Sequence, residues 1–316
     1  MWTALKMTLR PLPPLLQEKS QREINEDPDR IASDLSAIRE WIEKQPHLKS
    51  VNPSDQWLLA FLRGNKFSLE KTKNKLDMYY TLRTVVPEIF RNRNPFDPTV
   101  QAILNMGIFL PLRVTKSEDS CRVCLQRFKD FDSSKYRFVD IVKVCFMIIE
   151  ILILEDDNFI IAGEEFLMDG TGLDLTTLSQ WTPALAKKCV TIFTKALPVR
   201  LKSSYLFNMS PGYETAYNLF KIFLSEKLKN RFHIYGNGFE ALYDVMPRNL
   251  LPKEYGGEQG TVQELTDYWK KKVESYSEWY LREELACSDE SLRPNNPHTS
   301  SSLFGVEGSF RKLLVD

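Results

Sequence analysis

Histidine is scarce in this chain. The three residues His47, His233 and His298 include no His-x-x-x-His pair, the spacing by which a helix presents two imidazoles to zinc. Cysteine is also sparse: Cys121, Cys124, Cys145, Cys189 and Cys287 are an odd five, scattered in a way that makes no disulfide framework. Cys121-x-x-Cys124 is a single pair; a structural zinc site needs a second pair or histidines, and a redox pair needs a helix start, whereas this one falls in an expected strand. No G-x-G-x-x-G, Walker or G-x-S-x-G sequence is present, and Gly256-Gly257-Glu258-Gln259-Gly260 opens no strand–helix unit. Asp156-Asp157 has no third oxygen ligand at coordinating spacing and reads as a charged turn. No catalytic constellation, cofactor or metal site is expected, so the chain does not read as an enzyme.

Long apolar runs are missing too. The longest, Val144 to Leu154, is interrupted by Glu150 and falls short of the roughly 20 residues that span a bilayer. At the N-terminus Lys6 and Arg10 interrupt the apolar stretch and Pro11, Pro13 and Pro14 follow, a poor secretory leader. A surplus of one charge is absent: 42 Lys and Arg balance 42 Asp and Glu, which argues against a polyelectrolyte binder. A cytosolic, reducing setting is the expectation.

What is present is apolar mass with a local charge imbalance. At 316 residues, 43% hydrophobic and 12% aromatic, the chain can bury a sizeable core as one large domain or two. Residues 183–231 carry nine Lys and Arg against two Asp and Glu, a basic surface within a neutral protein.

Residues 1–26 read as a flexible lead-in. Asp27-Pro28 and Asn52-Pro53 are helix starts, Gly64 is a stop, and Ser68 opens a third helix, giving an all-helical unit over 27–95. A second domain over 96–260 begins with alternating Ile108, Leu110 and Leu112 and then Val123 to Phe128, as in strands. Phe138 to Glu155 is apolar almost all round, the pattern of a buried helix. Phe159 to Asp169, Ser203 to Met209 and Arg231 to Tyr235 are strand-like, and Ala184 to Ala196 and Tyr213 to Leu228 helical. That alternation predicts an α/β domain with a mostly parallel sheet and crossover helices. A last amphipathic helix is expected over 261–287, and the Ser/Pro/Asn-rich 288–316 is expected to be a flexible tail.

Two features bear on function. Tyr213, Ala216, Tyr217, Phe220, Phe223 and Leu224 share one helical stripe, with Leu219 and Ile222 apolar beside it. Such a helix either packs as an ordinary crossover or gates a cavity, with one face inward and the other toward lipid. Around it stand Arg200, Lys202, Lys221, Lys227, Lys229 and Arg231, a cluster suited to phosphate. Near an anionic leaflet each contributes roughly 1 kcal/mol, enough together for reversible docking. Nucleic acid is the lesser rival anion, since no RNA-stacking signature accompanies the cluster.

These residues resemble the CRAL-TRIO lipid-transfer family, in the branch of tocopherol- and retinaldehyde-binding members, over roughly residues 30–260. The resemblance rests on Trp57-Leu58-Leu59-Ala60-Phe61-Leu62-Arg63 and Lys66-Phe67-Ser68-Leu69-Glu70-Lys71, then Asp169-Gly170-Thr171-Gly172, Pro198-Val199-Arg200-Leu201-Lys202, Asn208-Met209-Ser210-Pro211, Glu226 to Arg231, and Leu251-Pro252-Lys253-Glu254-Tyr255-Gly256-Gly257. It implies a helical bundle before an α/β domain whose sheet floors a closed hydrophobic pocket, with Tyr213 to Leu224 as the mobile gate. By the same resemblance Cys145, Ile149, Phe193, Val199, Tyr217, Phe220 and Phe223 face the cargo, and Arg63, Lys66, Arg200, Lys202, Lys227 and Arg231 bind phosphoinositide. Asn65 stands where the family has a second arginine, with Lys66 adjacent. The family also has serines at the positions of Cys145 and Ile149, so this pocket is expected to be drier and its cargo more apolar at that end or held differently. The tail Gly308 to Asp316 is similar to C-termini of invertebrate members and is basic and apolar. The implied function is cytosolic binding and intermembrane transfer of a tocopherol-, retinoid- or other isoprenoid-like ligand, with reversible, peripheral docking on phosphoinositide membranes. The alternative is a phosphoinositide-binding adaptor in signalling or trafficking.

Overall fold

The computed structural model describes residues 9–209, 212–236, 238 and 240–305. Its centre is a five-stranded sheet in the order β1 (Phe109–Pro111), β2 (Arg122–Arg127), β3 (Glu164–Asp169), β4 (Leu201–Phe207) and β5 (Phe232–Ile234). β1 runs antiparallel to β2, and every other pairing is parallel. Parallel neighbours need crossovers, and these are the helices Phe138–Glu155, Pro183–Thr191 and Tyr213–Lys221. Because β2 to β5 are neighbours in chain order and crossovers share one hand, the three helices stack on one face of the sheet. That arrangement leaves a space between helices and sheet.

Phe138–Glu155 is one uninterrupted helix with thirteen buried residues, as its all-round apolar pattern requires. Glu150, the charge that breaks its apolar run, is fully buried and meets partners from the helical unit. It accepts from Tyr79 Oη at 2.6 Å and Arg83 at 3.3 Å, and pairs with Arg93, which is 0% exposed. One carboxylate between two guanidiniums thus fastens the N-terminal helices to the core of the α/β unit. The contact is tight elsewhere as well. Gly64 ends helix Asp55–Gly64 against the Pro198 carbonyl, where a Cβ would come within 2.1 Å of the oxygen. Any side chain there would push the two units apart.

Several boundaries differ from the sequence reading. The expected strand from Phe159 begins as a short helix, Asp157–Ile161, and is a strand only from Glu164. Asp156 caps that helix by accepting from Phe159 N at 3.1 Å, a local preference that overrides the β-branched pattern. Pro183–Thr191 continues as a π turn, Ile192–Ala196. The helix expected over Tyr213 to Leu228 is two, Tyr213–Lys221 and Glu226–Lys229, broken around Ser225, which sits in the extended N-cap conformation of the second. The expected last helix is likewise split into Val262–Ser275 and Ser277–Glu283.

Both terminal segments expected to be flexible are packed where they are described. Pro14–Ile24 is a helix with Leu16 and Ile24 fully buried. Residues 288–305 are tied down by polar contacts: Arg293 donates to both carboxylate oxygens of Asp77 at 2.9 Å, Ser288 N donates to Tyr80 O at 3.1 Å, and Phe304 is buried beneath the Lys188 ammonium. Composition alone signalled a linker; the polar residues instead find partners 200 or so positions away in the chain. The basic tail from Gly308 to Asp316, together with Ser210 and Pro211 of the family-like turn, lies outside the described residues.

Candidate lipid and anion cavities

The space between the sheet and its three crossover helices is a cavity of about 210 Å³ with an overwhelmingly apolar lining. Each element contributes through its periodicity. Helix Phe138–Glu155 presents Phe138, Ile141, Val142, Cys145, Phe146 and Ile149, spaced by three and four residues along one face. The strands present every second residue, Phe166 and Met168 from β3 and Ser204 and Leu206 from β4. Phe193 enters from the π turn. Tyr213, Ala216, Tyr217 and Phe220 come from Tyr213–Lys221. Burial pushes the Cys189 thiol up to about 12 and raises that of Cys145 above its usual range, so both act as small apolar groups here.

Helix Tyr213–Lys221 closes one side through ring contacts. Phe220 lies 6.0 Å from Trp181 and 5.7 Å from Phe232, and Tyr217 lies 5.8 Å from Phe232, centroid to centroid. Among the described residues its side chains form no hydrogen bond with the rest of the protein. Its outer face carries exposed Glu214, Thr215 and Asn218, and Ile222 just beyond its end is 71% exposed. An apolar, non-directional seal of this kind separates at less cost than a hydrogen-bonded one in an apolar medium.

A second cavity, of about 520 Å³, adjoins the first and shares Phe166, Phe193, Ser204, Phe220 and Phe232 with it. Its rim is basic: Lys66, Arg200, Lys202, Lys227 and Arg231 all line it. The guanidinium of Arg200 donates to the carbonyls of Ile160 and Ile161, and that of Arg231 to the Leu201 carbonyl. These bonds orient the groups without neutralising them, and among the described residues none of the five cations forms an ion pair. Arg200 Nε is buried without a partner, and burial lowers the pKa of this side chain. Lys66 reaches the rim through a left-handed turn, φ 55°. Glu164 also lines this cavity at 2% exposure, and desolvation lifts its carboxyl to about 7 despite a hydrogen bond with Cys124.

Of the residues expected at the cargo, Cys145, Ile149, Phe193, Tyr217 and Phe220 meet around the apolar cavity. Val199 lies instead on the basic cavity. Phe223 lies on neither, because the helix that would have aimed it inward ends at Lys221. Five of the six expected phosphoinositide ligands come together; the sixth, Arg63, does not. It is 2% exposed, donates to both oxygens of Glu26 at 2.8 and 2.9 Å and to Asp157 at 2.8 Å, and is a structural clamp that does not line the basic cavity. Asn65 is equally committed, donating to Phe61 O at 2.8 Å. Asp157 also binds Arg10, and Asp156 pairs with Arg122, so the acidic turn is an ion-pair junction. Sequence reasoning passed over Glu164 and Ser204; the signal available was strand parity, which sets them on the same face as Phe166 and Leu206.

A mostly parallel sheet flooring an apolar cavity, preceded by a helical unit, defines a hydrophobic-ligand-binding domain, and comparison with known proteins gives the same class. Residues 113–257 match the CRAL/TRIO domain model and residues 27–100 match the Pinta-like, UBA domain model. Alpha-tocopherol transfer protein-like of Mus musculus is 30% identical over 268 residues, 85% of this chain and 76% of that protein. Clavesin-1 of Xenopus laevis is 26% identical over 240 residues, 76% of this chain and 72% of its own length. Clavesin-2 of Homo sapiens is 25% identical over 294 residues, 89% of each. The chain belongs to the CRAL/TRIO domain family, whose members bind and transfer lipophilic ligands. No helix among the described residues is long and apolar enough to cross a membrane.

Proposed function

We propose that this protein is a cytoplasmic carrier that takes one tocopherol-, retinoid- or other isoprenoid-like molecule into the apolar cavity and exchanges it at phosphoinositide-bearing membranes. The observation that carries this reading is the shared wall of the two cavities. Phe193 and Phe220 face the apolar space on one side and the cationic rim on the other. An anionic headgroup held by Lys66, Arg200, Lys202, Lys227 and Arg231 would then lie against the helix that seals the cargo. No bond is made or broken. The cargo is retained because closing Tyr213–Lys221 removes apolar surface from water, at roughly 25 cal/mol per Å². Docking rests on several cations worth about 1 kcal/mol each at an anionic leaflet, which keeps it reversible.

The test is to incubate the purified protein with lysate of its source tissue and identify what organic solvent extracts from it by mass spectrometry. One stoichiometric apolar molecule is the expected result; a mixture of bulk phospholipids would favour a membrane adaptor instead. Phe220→Asp, which sets a charge in the seal, is expected to slow vesicle-to-vesicle transfer of a fluorescent tocopherol analogue at least tenfold while circular dichroism stays native. Undiminished transfer by the folded variant would sink the carrier reading.

A further inference from the structure

The wall between the two cavities holds a polar atom that the protein leaves unanswered. Ser204 lies in the middle of β4, 1% exposed, and its Oγ is buried with no hydrogen-bond partner. The backbone at this position is already used, its N–H donating to Arg231 O at 2.7 Å. The strand register sets Ser204 abreast of Phe166 on one side and Phe232 on the other. Two residues back along each strand stand Lys202 and Glu164, on the basic cavity; two residues forward stand Leu206 and Met168, on the apolar one. Ser204 therefore marks the border between polar and apolar floor.

A buried hydroxyl without a partner is unfavourable, and a valine or alanine would fill this strand position without that penalty. A bridging water needs two or more polar partners, and the rings of Phe166, Phe193, Phe220 and Phe232 surround this point. Helix Phe138–Glu155 faces this point with no hydroxyl, since Cys145 and Ile149 stand there, and the phenols of Tyr213 and Tyr217 belong to the closing helix. We infer that Ser204 Oγ is the anchor for the single polar end of the cargo, and that the cargo class is a largely apolar molecule ending in an alcohol or carbonyl group. A serine hydroxyl serves both, accepting from an alcohol or donating to a carbonyl. The cargo's polar end then points along the sheet toward the basic rim, with its apolar body running under Tyr213–Lys221.

This inference rests on the carrier reading, and one experiment separates the two. Retinol and phytol, each beside its parent hydrocarbon, are titrated into the full chain loaded with the fluorescent probe N-phenyl-1-naphthylamine, and displacement is followed. The wild type is expected to prefer each alcohol over its hydrocarbon by about tenfold, the scale of one net hydrogen bond. Ser204→Ala is expected to erase that preference while hydrocarbon affinities change less than about twofold, and Ser204→Thr, which keeps a hydroxyl, to retain it. Gln126 of β2 also lines the apolar cavity and is the rival polar group; an alcohol preference that survives in Ser204→Ala, equal losses for alcohol and hydrocarbon, or loss of the preference in Gln126→Leu instead would overturn the anchor and leave the carrier standing. Failure of all four compounds to displace the probe from the wild type would count against the carrier reading itself, and the anchor would fall with it.

Discussion

Two sets of cationic side chains in this protein, arginines in both and lysines in one, are treated in opposite ways. Arg63, Arg83 and Arg93 are buried and matched with carboxylates, Glu26 and Asp157 for the first and Glu150 for the other two. Arg200, Lys202, Lys227, Arg231 and Lys66 gather around a cavity with no ion pair among the described residues. The first set holds the helical unit to the lipid domain. The second keeps its charge available at a surface, and the two guanidiniums in it are steered only by neutral carbonyls. Cationic residues thus become structural clamps or stay uncompensated according to whether the fold supplies their counter-charge, and residue type alone does not decide it.

The comparison is broken most severely at Glu150. Glu150→Ala leaves Arg83 and Arg93 buried without their carboxylate, and stability to urea is expected to fall by about 3–5 kcal/mol. A loss below about 1 kcal/mol would mean that the arginines are not held by this charge. The open set is broken by reversing charges that carry no structural bond, which spares Arg200 and its carbonyl contacts. Lys202→Glu with Lys227→Glu changes the charge by four units and is expected to weaken binding to phosphoinositide vesicles on the order of a thousandfold, from roughly 1 kcal/mol per unit charge, with little change in the unfolding midpoint. Sedimentation with vesicles of graded phosphoinositide content measures this, and unchanged binding would remove the basic cavity from any docking role.

The smallest expected effect sharpens the contrast at Glu164, a carboxylate that lines the open set without pairing. Burial raises it from 4.5 to about 7 in the folded chain. As pH climbs between those values the unfolded chain loses this proton while the folded chain keeps it, so the associated stability is present below about 4.5 and lost by about 7. Glu164→Gln is therefore expected to match the wild type near pH 4.5 and to exceed it by about 3 kcal/mol above pH 7. Parallel unfolding curves at the two pH values check the sign; a variant less stable at high pH would mean that Glu164 is in fact stabilised by the neighbouring cations.

Much of this architecture was legible in the chain because it rests on local pattern. Strand–helix alternation announced the parallel sheet, and the all-round apolar run of Phe138–Glu155 announced a buried crossover. The cations of 183–231 cluster in sequence, and their nearness in space follows from β4, β5 and the short helix between them. What was not legible depends on partners far apart. Glu26 lies 37 residues from Arg63 and Asp157 lies 94, so no spacing could warn that the arginine is consumed. The resemblance carried Arg63 into the cleft because a motif records residue type and not its counter-ion. Phe223 was misplaced by assuming that a 3.6-residue period ran on past Lys221, and the docked segment 288–305 was hidden because polar composition looks alike whether its groups face water or each other.

The π turn at Ile192–Ala196 has a consequence for how this cavity pair changes over evolution. A π turn amounts to one residue inserted into an α-helix, and each α-helical residue advances about 100° around the axis. Phe193, on the wall common to both cavities, is carried on that wider turn. Deleting a single residue here would restore ordinary helical register and swing the ring away from the wall. Lineages of this fold could therefore merge or divide the two chambers by an indel of one codon, without altering a single residue of the sheet beneath.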